Sequence, residues 1–134
     1  MPGDQSILDR VAGEVFDEPI DPARRAAYLT APGHYMFVAI KDGEVVGQAA
    51  GVIYRHPDKP SELFIDEVGV APAFQRQGIA RRLLEAILAL GKELGCAEAW
   101  VGTETDNFAA RRLYESFGVK AETFVLYTYD LEQR

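Results

Sequence analysis

The sequence has little cysteine, little histidine and no long apolar run. Its 134 residues include one cysteine and two histidines, which excludes an intramolecular disulfide and a cysteine-rich zinc site. No His, Asp and Glu cluster has the spacing of a metal site, so we predict no metal. No apolar stretch approaches the ~20 residues that span a bilayer, and the first residues lack the features of a secretion signal. These absences predict a cytoplasmic protein without a membrane partner.

Positive charge is also scarce. The 14 Lys and Arg residues are outnumbered by 21 Asp and Glu residues, for a net charge of −7. This balance argues against nucleic acid as a partner and is compatible with a cationic substrate such as a polyamine or an aminoglycoside. Apolar residues make up 48% of the chain, which is enough for a core. Because no repeat or linker interrupts it, we predict a single domain over residues 1–134.

Apolar periodicity and turn residues predict the order of the secondary structure. We expect helices over residues 6–16 and 22–29, strands over 35–40, 45–54 and 63–70, a long helix from Gly78 to a cap at Gly95, a strand over 98–103, a helix after Asp106 or Asn107, and a final strand over 123–131. Asp42-Gly43 predicts a hairpin turn, and Gly47 and Gly51 are candidates for bulges or for close approaches of the backbone. A strand–helix–strand segment requires a parallel crossover. The expected fold is therefore α/β (α+β), with a mixed central sheet flanked by helices.

The segment from Val68 to Ala80 carries the strongest chemical signal. A strand ends there, a polar loop turns, and Gly78 begins a helix whose first N–H groups have no intrahelical partner. Such a helix start binds phosphate, and Arg76, Arg81 and Arg82 add positive charge. The segment is neither a P-loop nor a dinucleotide fingerprint. From these residues alone, an ordinary strand–helix turn remains an equal alternative.

Two motifs resemble those of the GNAT superfamily of acetyltransferases. Gln75-Arg76-Gln77-Gly78-Ile79-Ala80 resembles its Gln/Arg-x-x-Gly-x-Gly/Ala signature. Residues 107–119, Asn-Phe-Ala-Ala-Arg-Arg-Leu-Tyr-Glu-Ser-Phe-Gly-Val, are similar to its Asn-x-x-Ala-x-x-Leu-Tyr-Glu-x-x-Gly-Phe segment, with Val119 where Phe is common. The resemblance extends roughly from Tyr35 to Leu131. It implies an enzyme that transfers acetyl from acetyl-CoA directly to a primary amine.

The resemblance also implies roles for individual positions. The end of the third strand would pair with the pantetheine arm of coenzyme A, and one N–H there would polarise the thioester carbonyl. The loop and helix start would hold the pyrophosphate, Asn107 would touch the coenzyme arm, and Tyr114 would protonate the leaving thiolate. A core aromatic is the alternative for Tyr114. The implied coenzyme-binding residues are Val68, Gly69, Val70, Gln75, Arg76, Gln77, Gly78, Ile79, Ala80, Arg81 and Asn107.

A base must take a proton from the amine before it attacks. Asp66 and Glu67 lie just before the coenzyme-binding stretch. On a regular strand they face opposite sides, so only one reaches a cleft unless a bulge intervenes. We favour Glu67, acting directly or through water, because burial raises the pKa of a carboxyl group toward the useful range. A surface carboxylate is the alternative. His34 and His56 are interpreted as surface residues.

Within the superfamily, the chain looks most like the aminoglycoside 3-N-acetyltransferases. Val15-Phe16-Asp17-Glu18-Pro19 is one of the segments that carry this resemblance. The chain departs from this group in two features. It starts almost at its first helix, without the usual first strand, and its residues 101–106 lack an acidic insertion. Acidic side chains that would suit a cationic drug are Glu14, Asp17, Glu18, Glu62, Asp66, Glu104 and Asp106.

Other acceptors and another class stay open. Protein N-termini, lysine side chains and small metabolite amines are alternative acceptors. A non-catalytic acyl-CoA-binding domain is the competing class, and Glu67 and Tyr114 argue against it because a binder needs neither. Many members of the superfamily dimerise, and Tyr127 and Tyr129 on the final strand would suit the edge of a homodimer.

Overall fold

The computed structural model describes residues 2–132, and side chains from Ser6 onward. The chain divides into two compact units, one ending at Gly102 and one beginning at Thr103. The single-domain organisation stays a prediction.

The first unit is built on a four-stranded sheet of order β1-β2-β3-β4. Its strands are β1 His34–Lys41, β2 Glu44–Tyr54, β3 Glu62–Val70 and β4 Glu98–Val101. The first three are antiparallel, whereas β4 runs parallel to β3. The predicted mixed sheet and the α/β (α+β) class are confirmed, although β4 ends two residues earlier than expected.

Two α-helices belong to this unit, α1 Pro22–Thr30 and α2 Ile79–Glu93, together with 3-10 helices at Pro2–Asp9 and Pro72–Phe74. Helix α1 begins as predicted, because the Asp21 carboxylate accepts a hydrogen bond from the Arg24 N–H at 2.9 Å. Helix α2 is the crossover between β3 and β4. None of the helices in residues 2–132 is both long and apolar enough to cross a bilayer.

The core lies between α2 and one face of the sheet. Helix α2 buries Ile79, Leu83, Leu84 and Ile87. A Cβ atom at Gly47 would lie 3.1 Å from Ile79, and one at Gly51 would lie 2.9 Å from Ile87, so both glycines are needed for this close packing. Burial of each large side chain contributes about 1.5–3 kcal/mol.

The β1–β2 hairpin turns at Asp42 and Gly43, as predicted. Their φ angles are 51° and 75°, the left-handed pair of a type I′ turn. A register shift occurs beside Gly51, where a bulge was anticipated. The extra residue is nevertheless on β3, where it bears on the site described below.

The predicted helix over residues 6–16 is wrong. The 3-10 helix ends at Asp9, after which the Ala12 N–H donates to the Val45 carbonyl at 2.9 Å and the Val45 N–H donates to the Arg10 carbonyl at 2.8 Å. These groups pair with β2 instead of with a helical turn, and Glu14 has a φ of 66°, which no α-helix contains. The single bridge between Val11 and Val45 is the one strand-like pairing before α1 in residues 2–21.

The second unit contains the helix α3 Phe108–Glu115. The final strand predicted over residues 123–131 is wrong, because that segment has no regular secondary structure. Its large apolar side chains are exposed, from 66% at Phe124 to 92% at Leu131. A strand needs a neighbouring strand to pair its backbone groups, and residues 103–132 contain no other strand.

Candidate functional site

A β-bulge on β3 sets the geometry of the two candidate bases. Ile65 is opposite Gly51 and Glu67 is opposite Ala50, so Asp66 is an extra residue without a partner on β2. The bulge that would be needed for both carboxyl groups to act on one face is therefore present. Asp66 is exposed, whereas Glu67 is half-buried.

Pairing across the strands places Glu67 on the face away from α2. Gln48 is opposite Gly69 and Ala50 is opposite Glu67, so these four residues share one face because strand side chains alternate. Helix α2 packs on the other face, against Gly47.

A segment over residues 15–17, which we call the strap, lies on the Glu67 face. A Cβ atom at Gly69 would clash with the Val15 carbonyl, so only glycine lets the strap approach. The Gln48 Nε2 donates to the Val15 carbonyl oxygen at 3.4 Å, and the backbone of Asp17 lies near enough to the Glu67 carboxyl group to influence its pKa.

The pKa of Glu67 is raised, as expected from the sequence. Burial is the largest cause, followed by the negative charges of Asp17 and Asp66. Hydrogen bonds from the Asp17 backbone and the Gln48 side chain act in the opposite direction and lower the pKa. A carboxyl group with a raised pKa is a better proton acceptor than an ordinary surface carboxylate.

Tyr28 of α1 lies close to the same carboxyl groups. Burial, then Asp66 and Glu67, raise its pKa to about 12. Its hydroxyl donates to the Tyr35 carbonyl at 3.3 Å, and its ring meets the His34 ring edge-on at 5.5 Å. Tyr28 therefore stays protonated at neutral pH. It lies beside Asp66 and Glu67, which together with Asp17 we call the acidic cluster.

The second half of β3 has a strand on one side only. In the described part of the chain, β4 pairs with β3 from Glu62 to Ile65 and no further. Val68, Gly69 and Val70 keep β2 as their strand partner and are half-buried. Backbone groups of these residues that point away from β2 can hydrogen-bond an extended ligand, which would then lie like an additional strand. The Gln75 side chain folds back onto this end, because its Nε2 donates to the Val70 carbonyl at 3.0 Å.

The loop between β3 and α2 has the left-handed conformation of an anion-binding turn. Arg76 and Gly78 have φ angles of 62° and 78°, and Gly78 is the N-cap of α2 without a side-chain cap. The N–H groups of the first helical turn consequently lack intrahelical partners. No atom lies within 4 Å of a Cβ built at Gly78, so the space in front of this turn is open.

Some predicted coenzyme-binding side chains are used elsewhere. The Ile79 side chain is 9% exposed and belongs to the core, which leaves only its backbone for a ligand. Arg81 pairs with Glu85 at 3.5 Å along the helix surface. Gln77 is exposed and Ala80 is half-buried at the helix start.

The second unit carries the other two predicted residues. The Asn107 Oδ1 accepts from the Ala110 N–H at 3.2 Å, so Asn107 is the one of the two candidates, Asp106 and Asn107, whose side chain caps α3. Tyr114 is half-buried on α3, and burial raises its pKa. Its hydroxyl therefore holds its proton at neutral pH.

Sequence reasoning missed Gln48 and Tyr28, which the structure brings to Glu67. A polar residue inside the apolar run from Val45 to Val52 was the available signal, because buried polar groups are rare and informative. His56 is less isolated than expected, because its Nε2 lies 2.7 Å from the Glu62 Oε2. Glu62 is thus engaged away from the acidic cluster.

Comparison with known proteins identifies relatives over most of the chain. A sequence model of the family described as Acetyltransferase (GNAT) family matches residues 6–119. N-alpha-acetyltransferase RimI of Mycobacterium tuberculosis is 35% identical over 104 residues, which are 78% of this chain and 63% of that protein. An aminoglycoside N(6′)-acetyltransferase type 1 of Salmonella typhimurium is 27% identical over 68% of this chain and 66% of its own length. The chain thus spans less than two thirds of both relatives.

A solved structure agrees with these sequence matches. Aminoglycoside N-acetyltransferase AAC(6′)-Iy in complex with CoA superposes with a TM-score of 0.70 at 25% identity, over 81% of this chain and 74% of that one. This enzyme and the Salmonella relative both carry the 6′ designation, which does not support the closer resemblance to the 3-N group.

Proposed function

Because the chain belongs to the GNAT family of acetyltransferases, we propose that it transfers an acetyl group from acetyl-CoA to a primary amine. One observation carries this proposal above the others. The second half of β3, which has a strand on one side only, is followed by the 3-10 helix Pro72–Phe74 and then by the open, left-handed turn at the start of α2. A ligand with an extended arm and an anionic group could therefore bind along the strand with its arm and at the turn with its anionic group.

The residues present fit acetyl-CoA as a co-substrate. Backbone groups of Val68 and Gly69 that point away from β2 suit the amide-bearing pantetheine arm, whereas the Val70 carbonyl already accepts from Gln75. The N–H groups from Gly78 to Ala80 suit the pyrophosphate, and the exposed Arg76 adds charge. We propose no metal, because amide transfer from a thioester needs none.

Acetyl-CoA supplies the acetyl group as a thioester, and the protein is proposed to accept one proton and to donate another. Glu67 is proposed to accept the proton of the acceptor ammonium, directly or through water, so that the nitrogen lone pair can attack. A backbone N–H of residues 68–70 stabilises the charge that develops on the carbonyl oxygen. The C–N bond forms as the C–S bond breaks.

Tyr114 is proposed to donate its proton to the departing thiolate. This role rests on the Leu-Tyr-Glu motif that it occupies, and the raised pKa of its hydroxyl means only that the proton is present at neutral pH. A protonated thiol is a poor nucleophile, so protonation prevents the reverse reaction. Asp66, exposed beside the base, is proposed to attract the cationic acceptor instead of accepting its proton.

We propose a cationic small molecule, such as an aminoglycoside or a polyamine, as the acceptor. Asp17, Asp66 and Glu67 concentrate negative charge on one face of the sheet, and exposed Glu14 and Glu18 lie beside the strap in sequence. Such a field favours polycations. The aminoglycoside-modifying relatives add support for this class of acceptor.

A peptide N-terminus is the second candidate acceptor, because an N-alpha-acetyltransferase is 35% identical to the chain. An α-amino group is a primary amine of the same charge. A cytoplasmic location and a homodimer also remain predictions, as does the alternative of a domain that binds acyl-CoA without turnover.

The test is release of free thiol from acetyl-CoA, followed with a panel of amines. An aminoglycoside, spermidine, an N-terminal peptide and a neutral primary amine are compared at one ionic strength. The proposal expects turnover, with polycations giving the highest kcat/KM and losing it steeply as salt is added. Binding of acetyl-CoA without turnover of any amine would instead support the binding domain.

A further inference from the structure

Gln48 is a fully buried polar residue in the middle of an apolar strand. Its exposure is 0%, and every residue from Val45 to Gly51 is buried. A buried amide is unfavourable unless its groups are hydrogen-bonded. Gln48 therefore needs an explanation beyond packing.

The surroundings of the Gln48 side chain are the strap and Glu67, which lie on one face of the sheet. Its Nε2 donates to the Val15 carbonyl at 3.4 Å, and the side chain lies near enough to the Glu67 carboxyl group to lower its pKa. Its Oε1 is buried without a hydrogen-bond partner among the described residues. Leucine would fill a similar volume without that orphaned oxygen, although it would leave the Val15 carbonyl without this donor. Packing alone therefore does not account for glutamine here.

We propose that Gln48 is a positioning residue, whose amide, anchored on the Val15 carbonyl of the strap, holds the Glu67 carboxylate in place as a proton acceptor. This inference rests on the proposed function of Glu67. Register supports it, because Gln48 and Glu67 are diagonal neighbours on one sheet face, within reach of long side chains. Gly69, opposite Gln48, leaves room for the strap carbonyl that anchors the amide.

The surrounding charges give this contact a measurable effect. The charged groups that act on Glu67 are Asp17 of the strap and Asp66 of β3, and the neutral Tyr28 of α1 lies within the field of Asp66 and Glu67. Burial and both aspartates disfavour the ionised carboxylate, whereas the Gln48 hydrogen bond favours it. Loss of Gln48 should therefore raise the pKa of Glu67 further and move the acid limb of the kcat/KM profile to higher pH.

The test is Gln48→Leu in the full chain, read in two ways. NMR of the Glu67 side-chain carboxyl carbon follows its titration without any reaction, and the pH profile of kcat/KM follows its role in turnover. Both midpoints are expected to move to higher pH together. At a fixed pH on the acid limb, kcat/KM should fall about tenfold for each pH unit by which the midpoint of the limb moves up.

Two further variants keep the result interpretable. Ile53→Val shortens a buried side chain on the α2 face of the same strand, and it should lower the unfolding midpoint without moving the Glu67 titration. Gln48→Met keeps the length of the side chain without its hydrogen bonds, and replaces Gln48→Leu if the latter does not fold. An unchanged Glu67 titration in the folded variant overturns the proposal. If the titration moves but wild type acetylates no amine, the positioning contact stands and the proposed function fails.

Discussion

The two halves of β3 do different work. Glu62 to Ile65 has a strand on both sides and buries Leu63 and Ile65 in the core. Within the described residues, Glu67 to Val70 pairs with β2 alone and is half-buried. The bulge at Asp66 is the boundary between them. One strand thus supplies stability in its first half and available backbone groups and carboxylates in its second. Substitutions on either side of the boundary should separate loss of folding from loss of chemistry.

The largest expected effect is that of Glu67→Gln in the second half. Removing the proposed base should lower kcat/KM by about 10²–10⁴-fold at neutral pH, because the acceptor ammonium keeps its proton. Initial rates of thiol release measure this. The matched control is Asp66→Asn, which changes the neighbouring carboxyl group in the same bulge and should affect mainly KM. Equal losses of kcat in both variants would contradict the assignment.

Leu63→Ala in the first half should do the reverse. Leu63 is 0% exposed and packs against Gly51 and Gly91, so the cavity should lower the free energy of unfolding by about 2–5 kcal/mol. Urea unfolding measures the loss. Under conditions where the variant is folded, its pH profile should match wild type. A displaced acid limb would show that the two halves are not separable.

Local sequence signals predicted the elements that local interactions stabilise. The Asp42-Gly43 turn, the start of α1 at Pro22, the long helix α2 and the start of α3 depend on neighbours in sequence. The helix over residues 6–16 failed because its backbone groups pair with Val45, which is distant in the chain. The strand over residues 123–131 failed for the converse reason, because a strand depends on a partner that periodicity cannot supply.

The candidate site divides in the same way. The turn at Gly78 and the carboxylates Asp66 and Glu67 are recognisable from motifs. Which of the two is half-buried depends on the bulge, and the contacts of Gln48 and Tyr28 depend on strand register and on α1. Register is set by pairing across the sheet, so no local pattern could have assigned these contacts.

Gly78→Glu tests whether the turn between β3 and α2 binds the pyrophosphate of acetyl-CoA. A carboxylate at this turn should repel the pyrophosphate, and the thermal stabilisation by acetyl-CoA should vanish. In wild type that stabilisation is about 2.7 kcal/mol at a hundred-fold excess over Kd. Gly95→Glu is the matched control, because Gly95 ends α2 with a φ of 85° and equally open surroundings. Loss of stabilisation in both variants would mean that strain, not ligand repulsion, is responsible.

Tyr114→Phe should have a smaller effect, which extends the comparison to the second unit. Thiolate is already a fair leaving group at neutral pH, so kcat should fall by no more than about tenfold. Thiol release under saturating acetyl-CoA measures kcat. Tyr127→Phe, which alters an exposed tyrosine, should leave kcat unchanged. A loss as large as that of Glu67→Gln would make Tyr114 more than a proton donor to the thiolate.

The smallest expected effect is a gain of stability in Glu67→Gln. Glu67 has a higher pKa in the folded chain than when unfolded, so between those two values the native state binds more protons and the free energy of unfolding falls as pH rises. Above the folded pKa, wild type keeps the full penalty, whereas glutamine does not titrate. The variant should therefore unfold at a slightly higher temperature than wild type at neutral pH, and the difference should shrink as pH falls through the folded pKa toward the usual range of glutamate. Partial exposure keeps the gain small. A variant that is less stable at neutral pH would mean that the hydrogen bonds from Gln48 and the strap outweigh burial and charge, and that the second half of β3 contributes to stability as well.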